Sequence, residues 1–138
     1  MFARMAGAAC VVGALLAGPV LAQSQPVTSP SGLVYESLKE GTGLSPKASD
    51  TVKVHYRGYF PQTGQDFDSS ITRGQPIEFP LNGVIACWTE GVQKMKVGGK
   101  ARLTCPANIA YGSRGAGRII PPNATLMFEV ELLGINGK

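Results

Sequence analysis

Thr51-Val52-Lys53-Val54-His55-Tyr56-Arg57-Gly58-Tyr59-Phe60 is the stretch that decides the fold. Val52, Val54, Tyr56 and Gly58 fall on one side of an extended chain, and Lys53, His55 and Arg57 on the other. A period of two residues marks a strand buried on one face and solvated on the opposite one. Upstream, Leu33-Val34-Tyr35-Glu36-Ser37-Leu38 reads as another strand, closed by Gly41-Thr42-Gly43. Downstream, Pro61-Gln62-Thr63-Gly64 is turn chemistry. Phe67-Asp68-Ser69-Ser70 then forms a short strand running into a loop around Arg73-Gly74-Gln75-Pro76, and Ile77 and Phe79 restart the alternation. Residues 87–95 change period: Trp88, Val92 and Met95 stand at i, i+4 and i+7, and Lys96 with Gly98-Gly99 ends the helix they predict. Residues 100–105 alternate again. Residues 125–133 predict a last strand with Leu126, Phe128, Val130 and Leu132 on one side. The result is an α+β domain, five to six antiparallel strands wrapped around one short α-helix.

Residues 106–123 are a long loop rich in glycine and proline between the last two strands. A loop of this length without secondary structure is uncommon in a small domain and usually serves function. The search for a site therefore starts there.

The beginning of the chain has a different character. Arg4 is the only early charge, and residues 6–22 carry none before Gln23. An uncharged run ending in Val20-Leu21-Ala22 predicts a secretory signal peptide over residues 1–22, cleaved after Ala22. The run is at the short end of the roughly 20 residues that span a bilayer, so stable membrane insertion is not expected. Cys10 precedes most of the apolar run, which argues against a lipid anchor there. Residues 23–32 are rich in Ser, Pro, Thr and Gln and read as a flexible leader to a single domain at residues 33–138. Cleavage would leave 116 of 138 residues, enough for one core, and would lower the formal net charge from +4 to +3. The remaining Lys and Arg are scattered, so nucleic acid is not an expected partner. The expected location is outside the cytoplasm, periplasmic or secreted. Cys87 and Cys105 remain, and in an exported chain the pair reads either as a disulfide or as two buried thiols. A bond between them would close a loop of about 19 residues and contribute roughly 3 kcal/mol, and it is the state expected here.

The chemistry-bearing residues exclude more than they include. His55 is the single histidine and has no partners at metal-site or triad spacing, so no metal or cofactor is expected. Cys87 and Cys105 lack Cys-x-x-Cys spacing. Gly112-Ser113-Arg114-Gly115-Ala116-Gly117 is followed by Ile119-Ile120-Pro121-Pro122, which cannot open the helix a phosphate loop requires. A hydrolase built on Ser69 or Ser70 would need a base, and none stands at a readable spacing. What remains is a set of apolar and aromatic residues at loop edges: Tyr56, Phe60, Phe67, Trp88, Tyr111, Ile119, Ile120 and Phe128. Together they predict an apolar pocket with one or two polar groups.

Several ordered motifs resemble a known family. They are Val54-His55-Tyr56-x-Gly58, Phe67-Asp68-Ser69-Ser70, Val84-Ile85-x-x-Trp88-x-Glu90-Gly91-Val92, Ala110-Tyr111-Gly112, Ile119-Ile120-Pro121-Pro122-Asn123-Ala124-Thr125-Leu126 and Phe128-x-Val130-Glu131-Leu132-Leu133. In this order they resemble the motifs of bacterial, exported FKBP-type peptidyl-prolyl cis-trans isomerases, from about Gly32 to the end of the chain. The resemblance implies a curved, strongly twisted sheet around the helix. It also implies catalysis by Asp68, Tyr111, Phe67 and Trp88, with Trp88 as pocket floor. Tyr56, Ile77, Val84, Ile85, Ile119, Ile120 and Phe128 would bind substrate, and Arg73 would hold Tyr56 and Asp68 in place. The implied partners are proline-containing polypeptides and macrolide immunosuppressant-type inhibitors, met by a monomer. The sequence departs from the family pattern in three places: a short Leu81-Asn82-Gly83-Val84 rim, Ile77 in place of a frequent phenylalanine, and Cys87 in place of glycine. The alternative reading, a chaperone-like binding module on the same fold with little isomerase activity, would call for an added domain or a broad apolar patch.

Overall fold

The computed structural model describes residues 25–136. The expected signal segment and its cleavage site lie outside those residues. Strand β1 is Val27–Thr28, β2 Val34–Lys39, β3 Thr51–Tyr59, β4 Asp66–Ser69, β5 Ile77–Pro80, β6 Lys100–Cys105 and β7 Leu126–Ile135. Helix α1 is a single turn, Ser70–Arg73, and α2, the main helix, is Ala86–Gln93. The sheet runs in the order β1-β2-β6-β7-β3-β4, with β5 also paired to β3, and its pairings are antiparallel.

The alternation read in the sequence is the alternation of burial. Val52, Val54 and Tyr56 of β3 and Leu126, Phe128, Val130 and Leu132 of β7 are buried, as are Ala101, Leu103 and Cys105 of β6. Trp88, Val92 and Met95 cover this face from α2 and the turn after it. Cys87 and Cys105 are joined as a disulfide with Cα atoms 5.7 Å apart. The link ties the N-terminal end of α2 to the end of β6, from which the long loop departs.

Two features differ from the sequence reading. The sheet has seven strands, because Val27–Thr28, within the segment read as flexible leader, pairs with Val34 and Tyr35 of β2. Ser31 fastens the same segment by donating to Glu90 Oε1 of α2 at 2.5 Å. Two paired residues leave no periodic trace in a sequence, which is why β1 was not legible. The second feature is α1, placed where a loop was expected. Ser69 caps it by accepting from the Thr72 N–H, and Gly74 closes it in the left-handed conformation.

Candidate functional site

Where β3, β4, α2 and the long loop converge, a pocket of about 460 Å³ opens, lined by Tyr56, Phe67, Asp68, Phe79, Gly83, Val84, Ile85, Trp88, Tyr111 and Phe128. Trp88 is 4% exposed and sits at its base. Three rings hold the indole edge to face: Tyr56 at 5.3 Å, Phe79 at 5.4 Å and Phe128 at 5.5 Å between centroids. Such pairs each contribute about 0.5–1.5 kcal/mol beyond their buried area, so the floor is rigid. Phe67 continues the wall, perpendicular to Phe128 at 5.6 Å. Gly58 makes this close approach possible. A Cβ there would stand 2.6 Å from Phe67 Cζ and 2.9 Å from Phe128 Cε1.

Adjacent residues of a regular strand point to opposite faces. Phe67 and Asp68 nevertheless both line the pocket. The register between β3 and β4 shifts at this point: Gly58 pairs with Asp68 and Tyr59 with Asp66, leaving Phe67 as the extra residue. A bulge of this kind re-aims a side chain. Past the last ladder pair, Arg57 with Ser69, a side chain takes over from the ladder. The Ser70 hydroxyl, fully buried, accepts from the Tyr56 N–H at 2.7 Å, lies 3.3 Å from the Tyr56 carbonyl oxygen and 3.0 Å from His55 Nδ1. A side chain thus ties the start of α1 to β3, two residues beyond Asp68.

The polar groups form one cluster at the pocket edge. The Tyr56 hydroxyl donates to Asp68 Oδ2, and Arg73 donates to Asp68 Oδ1 at 2.6 Å and to the Tyr56 hydroxyl at 3.3 Å. Burial pushes the Asp68 carboxyl up, but the bonds from Tyr56 and Arg73, the guanidinium charge and the Ser69 N–H together hold it below its ordinary value. Burial, together with the bond to Asp68, moves the Tyr56 phenol the other way. Asp68 is therefore a carboxylate, and Tyr56 a neutral phenol, at neutral pH. Across the mouth stands Tyr111, 40% exposed. The Ile85 N–H, just before α2, finds no acceptor among the described residues.

Eight of the residues singled out in the sequence line this pocket: Tyr56, Phe67, Asp68, Val84, Ile85, Trp88, Tyr111 and Phe128. Arg73 stands behind it, on Asp68. Ile77 is not part of the lining. It pairs with Val54 at the start of β5, and Phe79, two residues on, supplies the aromatic wall. Ile77 and Phe79 share a face of the strand, so alternation alone does not say which one reaches the mouth. Ile120, buried in the core, and Ile119, 61% exposed, are not among the residues that line the pocket. Gly83, within the Leu81-Asn82-Gly83-Val84 segment read as the rim, completes the lining. Among the described residues no group of His, Cys, Asp and Glu could hold a metal ion.

An apolar pocket edged by a fixed carboxylate, on an antiparallel sheet wrapped over one helix, defines a ligand-binding α+β domain. Residues 43–133 match the FKBP-type peptidyl-prolyl cis-trans isomerase family. The chain belongs to that family. It is 57% identical to the FKBP-type peptidyl-prolyl cis-trans isomerase FkpA of Aeromonas hydrophila over 105 residues, 76% of this chain and 38% of that one. A probable FKBP-type isomerase of Haemophilus influenzae is 51% identical over 111 residues, 80% of this chain and 46% of the relative. The chain thus spans less than half the length of these curated relatives. The crystal structure of FkpA from Escherichia coli superposes with a TM-score of 0.77 at 43% identity, covering 96% of this chain and 61% of the other. A peptidyl-prolyl cis-trans isomerase structure from Pseudomonas syringae superposes with a TM-score of 0.75 at 36% identity, covering 94% of each chain.

Proposed function

We propose that this chain is an exported peptidyl-prolyl cis-trans isomerase that turns X-Pro bonds of polypeptides in the Trp88 pocket. The observation that carries the reading is the pairing of an apolar, ring-walled pocket with a carboxylate held ionised at its edge. Amide resonance opposes rotation with a barrier of about 18–20 kcal/mol. The planar, charge-separated amide is well solvated in water, so transfer of the prolyl imide into an apolar cavity weakens the preference for planarity. No nucleophile or base is required. Contacts that fit the twisted imide better than the planar one then lower the barrier.

Trp88, Phe67, Phe79 and Phe128 exclude water from the prolyl ring. The Asp68 carboxylate, held by Tyr56 and Arg73, faces the twisting bond. The Tyr111 hydroxyl and the Ile85 N–H are the donors for substrate carbonyls, and by the family resemblance macrolide-type inhibitors would use the same two. Export is supported by the uncharged run at residues 6–22 and by the Cys87–Cys105 bond, which persists in an oxidising compartment. Among the described residues no helix is long and apolar enough to cross a membrane.

NMR exchange spectroscopy on a short X-Pro peptide tests the reading. Catalysed cis-to-trans exchange is expected with the wild-type chain. Exchange at the uncatalysed rate, with Trp88 fluorescence reporting a folded protein, would overturn it.

A further inference from the structure

The five arginines among the described residues fall into two groups. Arg57 pairs with Asp66 at 2.6 Å, Arg73 with Asp68 at 2.6 Å, and Arg102 with Glu36 at 3.0 Å and Glu129 at 3.3 Å. Arg114 and Arg118 have no ion pair or hydrogen bond among the described residues, and both are exposed. The chain itself carries no Asp or Glu between Glu90 and Glu129.

These two cations stand on the loop that carries pocket-lining Tyr111, a segment folded tightly on itself. Gly115 N–H donates to the Tyr111 carbonyl at 3.1 Å, and Ala116 and Ile120 exchange backbone bonds of 2.9 and 3.1 Å. Asn123 N–H reaches back to the Gly112 carbonyl at 2.8 Å. Gly115 has φ +70°, and a Cβ there would stand 2.2 Å from the Ile120 carbonyl oxygen, so only glycine permits the fold-back. Arg114 therefore lies one turn from pocket-lining Tyr111. Arg118 is two residues from buried Ile120, with exposed Ile119 between them. The only carboxylate lining the pocket, Asp68, is already matched by Arg73.

We infer that the Arg114–Arg118 rim selects acidic polypeptide, binding Asp or Glu side chains close to the proline that enters the pocket. This specificity rests on the isomerase reading of the same site. An arginine side chain extends several ångströms and an extended chain advances about 3.3 Å per residue, so the rim reaches acidic residues within about three positions of the proline. An unpaired guanidinium pair gains most from a carboxylate, while a lysine-rich segment meets repulsion.

Three peptides test the inference, differing only in Glu, Gln or Lys two and three residues on either side of one X-Pro bond. Affinity is read from Trp88 fluorescence, and turnover separately by NMR exchange. The wild-type chain is expected to bind the Glu peptide about three- to tenfold more tightly than the Gln peptide at low salt, and the Lys peptide most weakly. About 0.5 M NaCl should collapse the ranking. R114Q/R118Q should flatten the Glu-to-Gln ratio, and R114E/R118E should reverse it. Equal affinities in the wild type, a ratio indifferent to salt, or a ratio that survives in R114Q/R118Q would each overturn the inference. The salt series needs no variant to fold. Turnover without charge ranking would sink the inference alone, and ranking without turnover would sink the isomerase reading alone. Failure of all three peptides to bind would sink both.

Discussion

The two walls of the pocket are built on opposite plans. The β4–α1 wall is bonded inward: Ser70 to the Tyr56 backbone, Asp68 to Tyr56 and Arg73, every charge matched by a neighbour. The Tyr111 wall is bonded mainly to itself, and it presents a phenol and two unmatched guanidiniums to solvent. Buried, satisfied polar groups fix geometry, while exposed and unsatisfied ones are free to meet a partner. In the proposed reaction one wall holds the twisting bond, and the other reads the chain that carries it.

The disulfide joins the helix that carries Trp88 to the strand from which the Tyr111 loop departs, so the largest effect is expected there. With 18 residues separating the two cysteines, C87S/C105S should cost about 3 kcal/mol of stability in urea unfolding, while reduction of the native bond should require unfolding because both sulfurs are buried. An unchanged midpoint, or two thiols found free in the native protein by mass measurement after alkylation, would contradict the bond.

The inward-bonded wall should break next. Ser70→Ala leaves the Tyr56 N–H unpaired in the interior, and a loss of about 2 kcal/mol in thermal or urea unfolding is expected. Asp68→Ala, at a half-exposed position, should instead lower kcat/KM about tenfold while stability stays within about 0.5 kcal/mol of wild type. A variant fully active but unstable would assign Asp68 to folding. On the opposite wall, Tyr111→Phe removes one exposed donor, and a smaller fall of about three- to fivefold is expected. A larger loss at Tyr111 than at Asp68 would reverse the assignment of the two walls.

The smallest effect is one of pH. The folded Asp68 pKa lies below its ordinary value near 3.8, so the contribution of the cluster is complete above that value and is lost as pH falls through the folded pKa. Turnover should be level from pH 7 to about pH 5 and decline only below about pH 4. Arg73→Gln should move that acid limb to higher pH, checked by NMR titration of the Asp68 carboxyl. A limb that stays in place would separate Arg73 from the cluster.

The β3, β6 and β7 strands and α2 were legible in the chain because each buries one face along its whole length, and that constraint writes a period of 2 or 3.6 into the residues. Trp88, Phe67, Asp68 and Tyr111 were legible through the order of their motifs. Phe79 was not separable from Ile77, since both lie on one face of β5 and only the packing of Phe79 against Tyr56 and Trp88 distinguishes them. The β4 bulge, the Ser70 link and β1 were silent because each is a single irregular event without periodicity.

By itself, then, the sequence determined the class of fold, the family and the kinds of residue that meet at the site, since repeated burial and ordered motifs are one-dimensional properties. Tertiary structure alone decided that Phe67 and Asp68 face the same cavity, that three of the described arginines are neutralised, and that Arg114 and Arg118 are left without an ion pair on the Tyr111 loop. Those facts depend on which distant segments come within a few ångströms of one another, and distance in space is what a linear chain does not record.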